Sequence, residues 1–232
     1  MKRTYDFAEH DPGTNQGLLS QLVVPRPIAM VSTRDADGIG NLSPFSYYLP
    51  ITGEPPLVGV TFGLRASDGR TKHSYDNLVA SGDFVINVCT EVFADHIESI
   101  AKEYPPGTDE AEMHGFNLVA AQRVSAPAVA EALAHFECVV HQTVPLGSER
   151  AAVVLVVAEV VCAVIDETVL ESPDLDHPRI DLHALAPIGR SGARTFIRTI
   201  PDAVYFQERI PYERTTRQCE PSESSSERTT RP

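Results

Sequence analysis

A chain of 232 residues with 42% hydrophobic content fits one domain with embellishments and builds an ordinary core. Its 19 basic residues against 32 acidic ones leave a net charge of −13, a surface that repels nucleic-acid phosphate and excludes that partner class. No apolar run reaches the ~18 residues of a membrane span, and Lys2-Arg3 lead into Asp6, Glu9 and Asp11 rather than a signal core, so a soluble cytoplasmic protein is expected.

In chain order, residues 16–22 (QGLLSQL) predict a short helix that Pro25 and Pro27 do not allow to continue. Residues 28–34 read as a β-branched strand, Asp37-Gly38 as a turn, and residues 39–45 as the returning strand of a hairpin. Pro44 places that second strand at a sheet edge or a strand end. Residues 57–63 are the next strand, 71–81 a helix stopped by Ser81-Gly82, and 84–89 another strand. The spacing of Val92, Phe93, Ile97 and Ile100 predicts an amphipathic helix over 91–103. A loop rich in Pro, Gly and acids follows over 104–115.

Residues 117–165 are strand-rich, with a helical insert expected near 127–133 and long strands over 136–144 and 152–165. The stretch 166–187 is acidic and Pro-interrupted, an excursion from the barrel. Residues 1–212 form the expected domain, and 213–232, polar and without apolar periodicity, the expected disordered tail. Antiparallel strands with inserted helices predict a mainly β fold, and the regular strand–helix alternation of a doubly wound sheet is missing.

Of the cysteines, Cys89, Cys138 and Cys162 lie in apolar runs, and neither they nor Cys219 form a C-x-x-C pair. That pattern predicts buried thiols rather than a disulfide frame. His96 with Asp95 and Glu98, and His135 with His141, do not reach a metal-ligand pattern, so no metal is expected. No Ser nucleophile elbow, Rossmann fingerprint or P-loop occurs, and no catalytic acid or base is assigned.

Residues 25–46 (PRPIAMVSTRDADGIGNLSPFS) carry the most chemistry. A tight hairpin there brings the hydroxyls of Ser32, Thr33, Ser43 and Ser46 into one neighbourhood beside apolar and aromatic residues. Hydroxyls and backbone N–H groups suit a phosphate, and the apolar flank suits a flat ring. Together they point to a phosphorylated aromatic cofactor. A helix over 71–81 would add Lys72 and Ser74 in its first turn, where free N–H groups and the helix dipole favour an anion, with Arg70 as a second charge.

The pattern P-R-P-x-A-x-V-S-T followed by D-x-x-G-x-x-N-L-x-P-F-S resembles the opening of the flavin reductase-like, FMN-binding split-barrel family. Arg70-Thr-Lys72-His-Ser74-x-x-Asn77, Gly82-Asp-Phe84-Val-Ile-Asn87 and Arg190-Ser-Gly192 extend the resemblance over roughly residues 16–200. It implies a split β-barrel of Greek-key type and a homodimer with flavin at or near the subunit interface. It also implies FMN (or FAD) as cofactor and NAD(P)H as a transient co-substrate. Val31, Ser32, Thr33, Asn41, Ser43, Pro44, Ser46, Arg70, Lys72, Ser74 and Arg190 are the residues it assigns to the cofactor.

Two departures stand out. Lys72-His73-Ser74 replaces the common Lys-Asp-Thr, and Arg190-Ser-Gly-Ala with Phe196 replaces an Arg-Leu-Gly-Gly stretch ending in Tyr. The expected activity is hydride transfer from reduced nicotinamide to flavin N5, with reduced flavin passing to a partner monooxygenase or delivering electrons in place. The rival readings are an electron-carrying flavoprotein without a nicotinamide site and a barrel that has lost flavin.

Overall fold

A computed structural model describes residues 1–148, 151–192 and 194–199, so the expected tail 213–232 and Cys219 lie outside the described residues. The chain opens with α1 (Pro12–Leu22), β1 (Arg26–Pro27), β2 (Ala29–Arg34), β3 (Gly40–Phe45), β4 (Tyr48–Gly53) and β5 (Pro56–Gly63). Next come α2 (His73–Ser81), β6 (Asp83–Val88), α3 (Ile97–Ile100), α4 (Glu110–Met113), β7 (Leu118–Val119) and β8 (Ala128–Val129). The long strands β9 (Ala134–Leu146) and β10 (Val153–Ile165) precede α5 (Leu182–Leu185), β11 (Ile188–Ser191) and β12 (Thr195–Arg198).

Local chemistry accounts for the boundaries. Asp11 caps α1 by accepting from the Thr14 N–H at 3.0 Å, and Pro12 suits the first turn because its missing N–H has no intrahelical partner there. Asp35 builds the β2–β3 turn by accepting from Asp37 N–H at 3.0 Å and Ile39 N–H at 2.8 Å. Gly82 ends α2 at φ 80°, the left-handed region that a Cβ disfavours.

Among the described residues, seven strands form one antiparallel sheet in the order β3-β2-β6-β9-β10-β5-β4. Its two outermost strands, β3 and β4, are consecutive in the chain and joined only by Ser46 and Tyr47. A flat sheet would hold them roughly 29 Å apart, whereas that link spans about 10 Å. The sheet therefore curls until its edges meet, with the Phe45 and Phe62 ring centroids 4.4 Å apart and Thr61 N–H donating to Tyr47 O at 2.9 Å. A mainly β barrel with helical insertions is what the sequence led us to expect. The small sheet β1-β11-β12 lies beside it.

Period-two alternation on β2 feeds two cores. Ala29 and Val31 face a barrel interior containing Phe62, Phe84, Ile86 and Val156, which Leu78 of α2 helps to fill. Met30 faces a second cluster with Leu42, Phe93, Ile97, Ile100 and Phe116. Each fully buried aromatic or aliphatic side chain contributes about 1.5–3 kcal/mol.

Two expectations are corrected. Residues 91–103 are not one helix: tight i→i+3 bonds over Thr90–His96 pass into the single turn of α3. Phe93, Ile97 and Ile100 keep their helical spacing and are buried, while Val92 is exposed. No helix forms near 127–133, because β8 pairs with β7 and Asn87 Oδ1 accepts from the Val129 N–H at 2.9 Å. Cys89 and Cys138 are buried free thiols and Cys162 is half-buried. Among the described residues no helix is long and apolar enough to cross a membrane.

Candidate functional site

Antiparallel pairing decides what the β3 edge can offer. Gly40 and Leu42 turn their N–H groups away from β2, toward Asp109 Oδ2 at 3.3 Å and Glu110 Oε2 at 2.9 Å. Pro44 continues that outward phase, so its missing N–H costs no ladder bond, as its edge placement requires. The side chains of Asn41 and Ser43 point into a cleft between β3, the start of α2 and the segment Lys102–Tyr104.

Three cations, Arg65, Lys72 and Lys102, line that cleft in a chain of net charge −13. Lys72 occupies the N-cap of α2, and no side chain caps the helix there. A lysine cannot accept a hydrogen bond, and its charge adds to the positive end of the helix dipole. Where Ser, Thr or Asp would satisfy the helix, this sequence leaves the His73 and Ser74 N–H groups to an incoming anion, since the Tyr75 N–H already donates to Lys72 O at 2.9 Å. Arg65 Nη1 donates to His73 Nε2 at 2.9 Å, which makes Nε2 the acceptor and leaves the ring proton on Nδ1. Arg70 lines an adjoining cleft with Arg65, Thr71 and His73.

Asn41 is the hub behind the cations. Its Oδ1 accepts from Ser74 Oγ at 2.6 Å and from Thr33 Oγ1 at 3.5 Å, and its Nδ2 donates to Glu110 Oε2. Asn77 Nδ2 donates to Thr33 Oγ1 at 3.1 Å, extending the network. Ser74 has already spent its one O–H on Asn41, so its backbone N–H faces an anion more readily than its hydroxyl does.

Glu110 is 5% exposed, and burial pushes its carboxyl up to about 7 although the Leu42 N–H bond pulls it down. Glu103 spends its oxygens on Ala66 N–H at 2.6 Å and Ser67 N–H at 3.2 Å, and hydrogen bonds from Ser67 hold its carboxyl below the usual range. Tyr104 supplies the aromatic wall. Its hydroxyl donates to Ser99 O at 2.9 Å and accepts from His114 Nε2 at 3.0 Å, which fixes the ring.

The structure brings Asn41, Ser43, Lys72 and Ser74 together, places Arg70 next to them and ties Thr33 in through Asn41. Val31 is wholly inside the barrel. Ser32 faces the opposite side of β2, donating to Pro127 O at 2.6 Å and accepting from Asn87 Nδ2 at 2.9 Å, so its hydroxyl anchors β8 instead of the cleft. Pro44 and Ser46 are half-buried further along β3 and its link to β4. Arg190 does not line the cleft; it pairs with Glu98 at 3.1 Å and stacks over Phe196 at 5.4 Å. Sequence reasoning missed Arg65, Lys102, Tyr104 and Glu110, which have no motif spacing to each other and meet only through the fold.

The family model for the flavin reductase like domain matches residues 20–182. The chain belongs to the flavin reductase-like domain family. An uncharacterised protein of Deinococcus radiodurans is 36% identical over 194 residues, 82% of each chain. One from Halalkalibacterium halodurans is 35% identical over 179 residues, 76% of this chain and 82% of the relative. Among solved structures, nitrilotriacetate monooxygenase component B from Bacillus cereus superposes with TM-score 0.80 at 26% identity, covering 90% of this chain and 99% of that one.

Proposed function

We propose that this protein is an FMN-binding oxidoreductase that passes hydride from NADH or NADPH to flavin. The observation that carries the reading is the uncapped start of α2, with Lys72 at the N-cap, opening into a cleft with Arg65 and Lys102. Those residues fit a phosphorylated flavin: the cations and the N–H groups of His73 and Ser74 take the phosphate, and β3 from Ser43 to its link at Ser46 offers backbone groups to a flat polar ring. Family membership supports the same reading, as does the resemblance to a monooxygenase component B.

When bound, the flavin supplies the N5 position that accepts hydride. The chain's own work is to hold and orient. Lys72 and Arg65 fix the phosphate end, Asn41 holds Ser74 and Thr33 in register behind it, and the hydrogen-bonded Tyr104 forms a rigid wall. Orientation of this kind supplies most of what hydride transfer requires from a protein. Reduced flavin then serves a partner monooxygenase.

The functional unit we propose is a homodimer. Leu49 and Ile51, 50% and 43% exposed, both lie over Gly59 on the edge strand β4, and a row of large apolar side chains on an edge suits a protein contact.

Titration of the purified protein with FMN and riboflavin, followed by NADH or NADPH under anaerobic conditions, tests the reading. Bound FMN that is bleached by one of the donors supports it. Bound FMN inert to both donors would make the protein an electron carrier, and no binding would leave a barrel without flavin.

A further inference from the structure

Glu110 is the one acid of the cleft that is buried, and its two hydrogen bonds, from Leu42 N–H and Asn41 Nδ2, fall on the same oxygen, Oε2. Oε1 is thereby left to carry a proton without breaking either bond. The charged and titratable groups around it are Asp109 at the N-cap of α4, Lys72 and His73 at the start of α2, Arg65, and Lys102, Glu103 and Tyr104 on the facing segment. Asp109 opposes its ionised form and Lys72 favours it, with burial the largest influence.

We propose that Glu110 is a positioning residue that couples anion capture in this cleft to proton uptake. A phosphate seated by Lys72 shifts the carboxyl toward its neutral form, and the neutral carboxyl tightens the hold on the phosphate. Protonation keeps Asn41 and Leu42 in place because Oε2 remains an acceptor. The proton comes from solvent, and binding is reciprocal: whatever raises the carboxyl's proton affinity on phosphate binding raises phosphate affinity on protonation by the same factor. The inference rests on the cleft being the phosphate site of the proposed function. It adds a role to a residue 68 positions away in sequence from its partner on β3.

The test is carboxyl ¹³C NMR of the full chain across about pH 5–9, with Glu110 assigned through Glu110→Gln, in the absence of ligand and with FMN, riboflavin or sodium sulfate. Sulfate is included because, unlike the FMN phosphate with its second pKa of ~6, it keeps its charge across this range. With FMN or sulfate the Glu110 midpoint should rise by about 0.5–1 pH unit, a small like-charge shift, and with riboflavin it should not move. Sulfate affinity should fall several-fold toward high pH in the wild type and stay flat in Glu110→Gln.

An unchanged midpoint with FMN bound would overturn the coupling while leaving the flavin reading intact. A midpoint raised by sulfate in a protein that does not bind FMN would uphold the coupling and sink the flavin reading. If Glu110→Gln fails to fold, through-bond correlation of the side-chain carboxyl to the assigned backbone identifies Glu110 in the wild type, and the wild-type titration then decides.

Discussion

Glu110 Oε2 accepts the backbone N–H of Leu42 at 2.9 Å, and that bond closes the open edge of β3 beside the uncapped start of α2 at Lys72. The same oxygen takes Asn41 Nδ2, so one buried carboxyl holds both the strand edge and the hub of the cleft. Its folded-state value of about 7 lies above an unfolded glutamate at about 4.3. Between those values the folded protein binds more protons than the unfolded one, so stability falls as pH rises through the window. Above it the ionised carboxylate costs on the order of 3–4 kcal/mol relative to a neutral group. Urea unfolding at about pH 5 and pH 8 should show wild-type stability dropping more than that of Glu110→Gln. Parallel pH profiles would place the carboxyl's titration elsewhere.

Lys72→Ala should weaken FMN about tenfold, equivalent to about 1.4 kcal/mol, and leave riboflavin nearly unchanged, because only FMN carries the phosphate. Fluorescence titration of both flavins checks this, and the FMN deficit should shrink at high salt as charges are screened. Equal losses for the two ligands would remove the phosphate from the α2 end.

Ser32 and Asn41 separate structure from binding. Asn41→Ala leaves Glu110 without its side-chain donor and Ser74 without its acceptor, so it should cost about 2–3 kcal/mol in stability and also weaken FMN. Ser32→Ala should cost about 1–2 kcal/mol, through Pro127 and Asn87, with flavin affinity unchanged. Denaturant midpoints alongside FMN titrations check both, and a flavin defect confined to Ser32→Ala would reverse the two faces of β2.

Placing charge on the β4 edge should break the dimer. The double substitution Leu49→Lys, Ile51→Lys removes the exposed apolar pair without touching the barrel interior, since both side chains point outward over Gly59. Light scattering after gel filtration should read a dimer for the wild type and a monomer for the variant. A dimer that survives would move the interface to another face.

The sequence made the β2–β3 hairpin legible because Asp35–Gly38 is a local turn flanked by alternating apolar residues, and Pro44 even marked its edge position. The long strands over 134–146 and 153–165 were equally plain from their β-branched content. β4 was hidden because Pro50 and the prolines at 55 and 56 mask a strand that tolerates them only at an edge. Lys72 and Ser74 were readable as a helix start. Arg65, Lys102 and Glu110 were not, since closure of the barrel, rather than any spacing, brings them to the same cleft. The direction of the Ser32 hydroxyl was hidden for a related reason: adjacent strand residues face opposite sides, and only the partner of each hydroxyl shows which side it faces.

Anaerobic stopped-flow absorbance at the oxidised flavin band, with FMN and either NADH or NADPH, reads hydride transfer to the bound flavin itself. Bleaching far faster than free FMN, and several-fold lower in Lys72→Ala when FMN is held near the wild-type Kd, is the predicted result. Bleaching no faster than free flavin with either donor would contradict it.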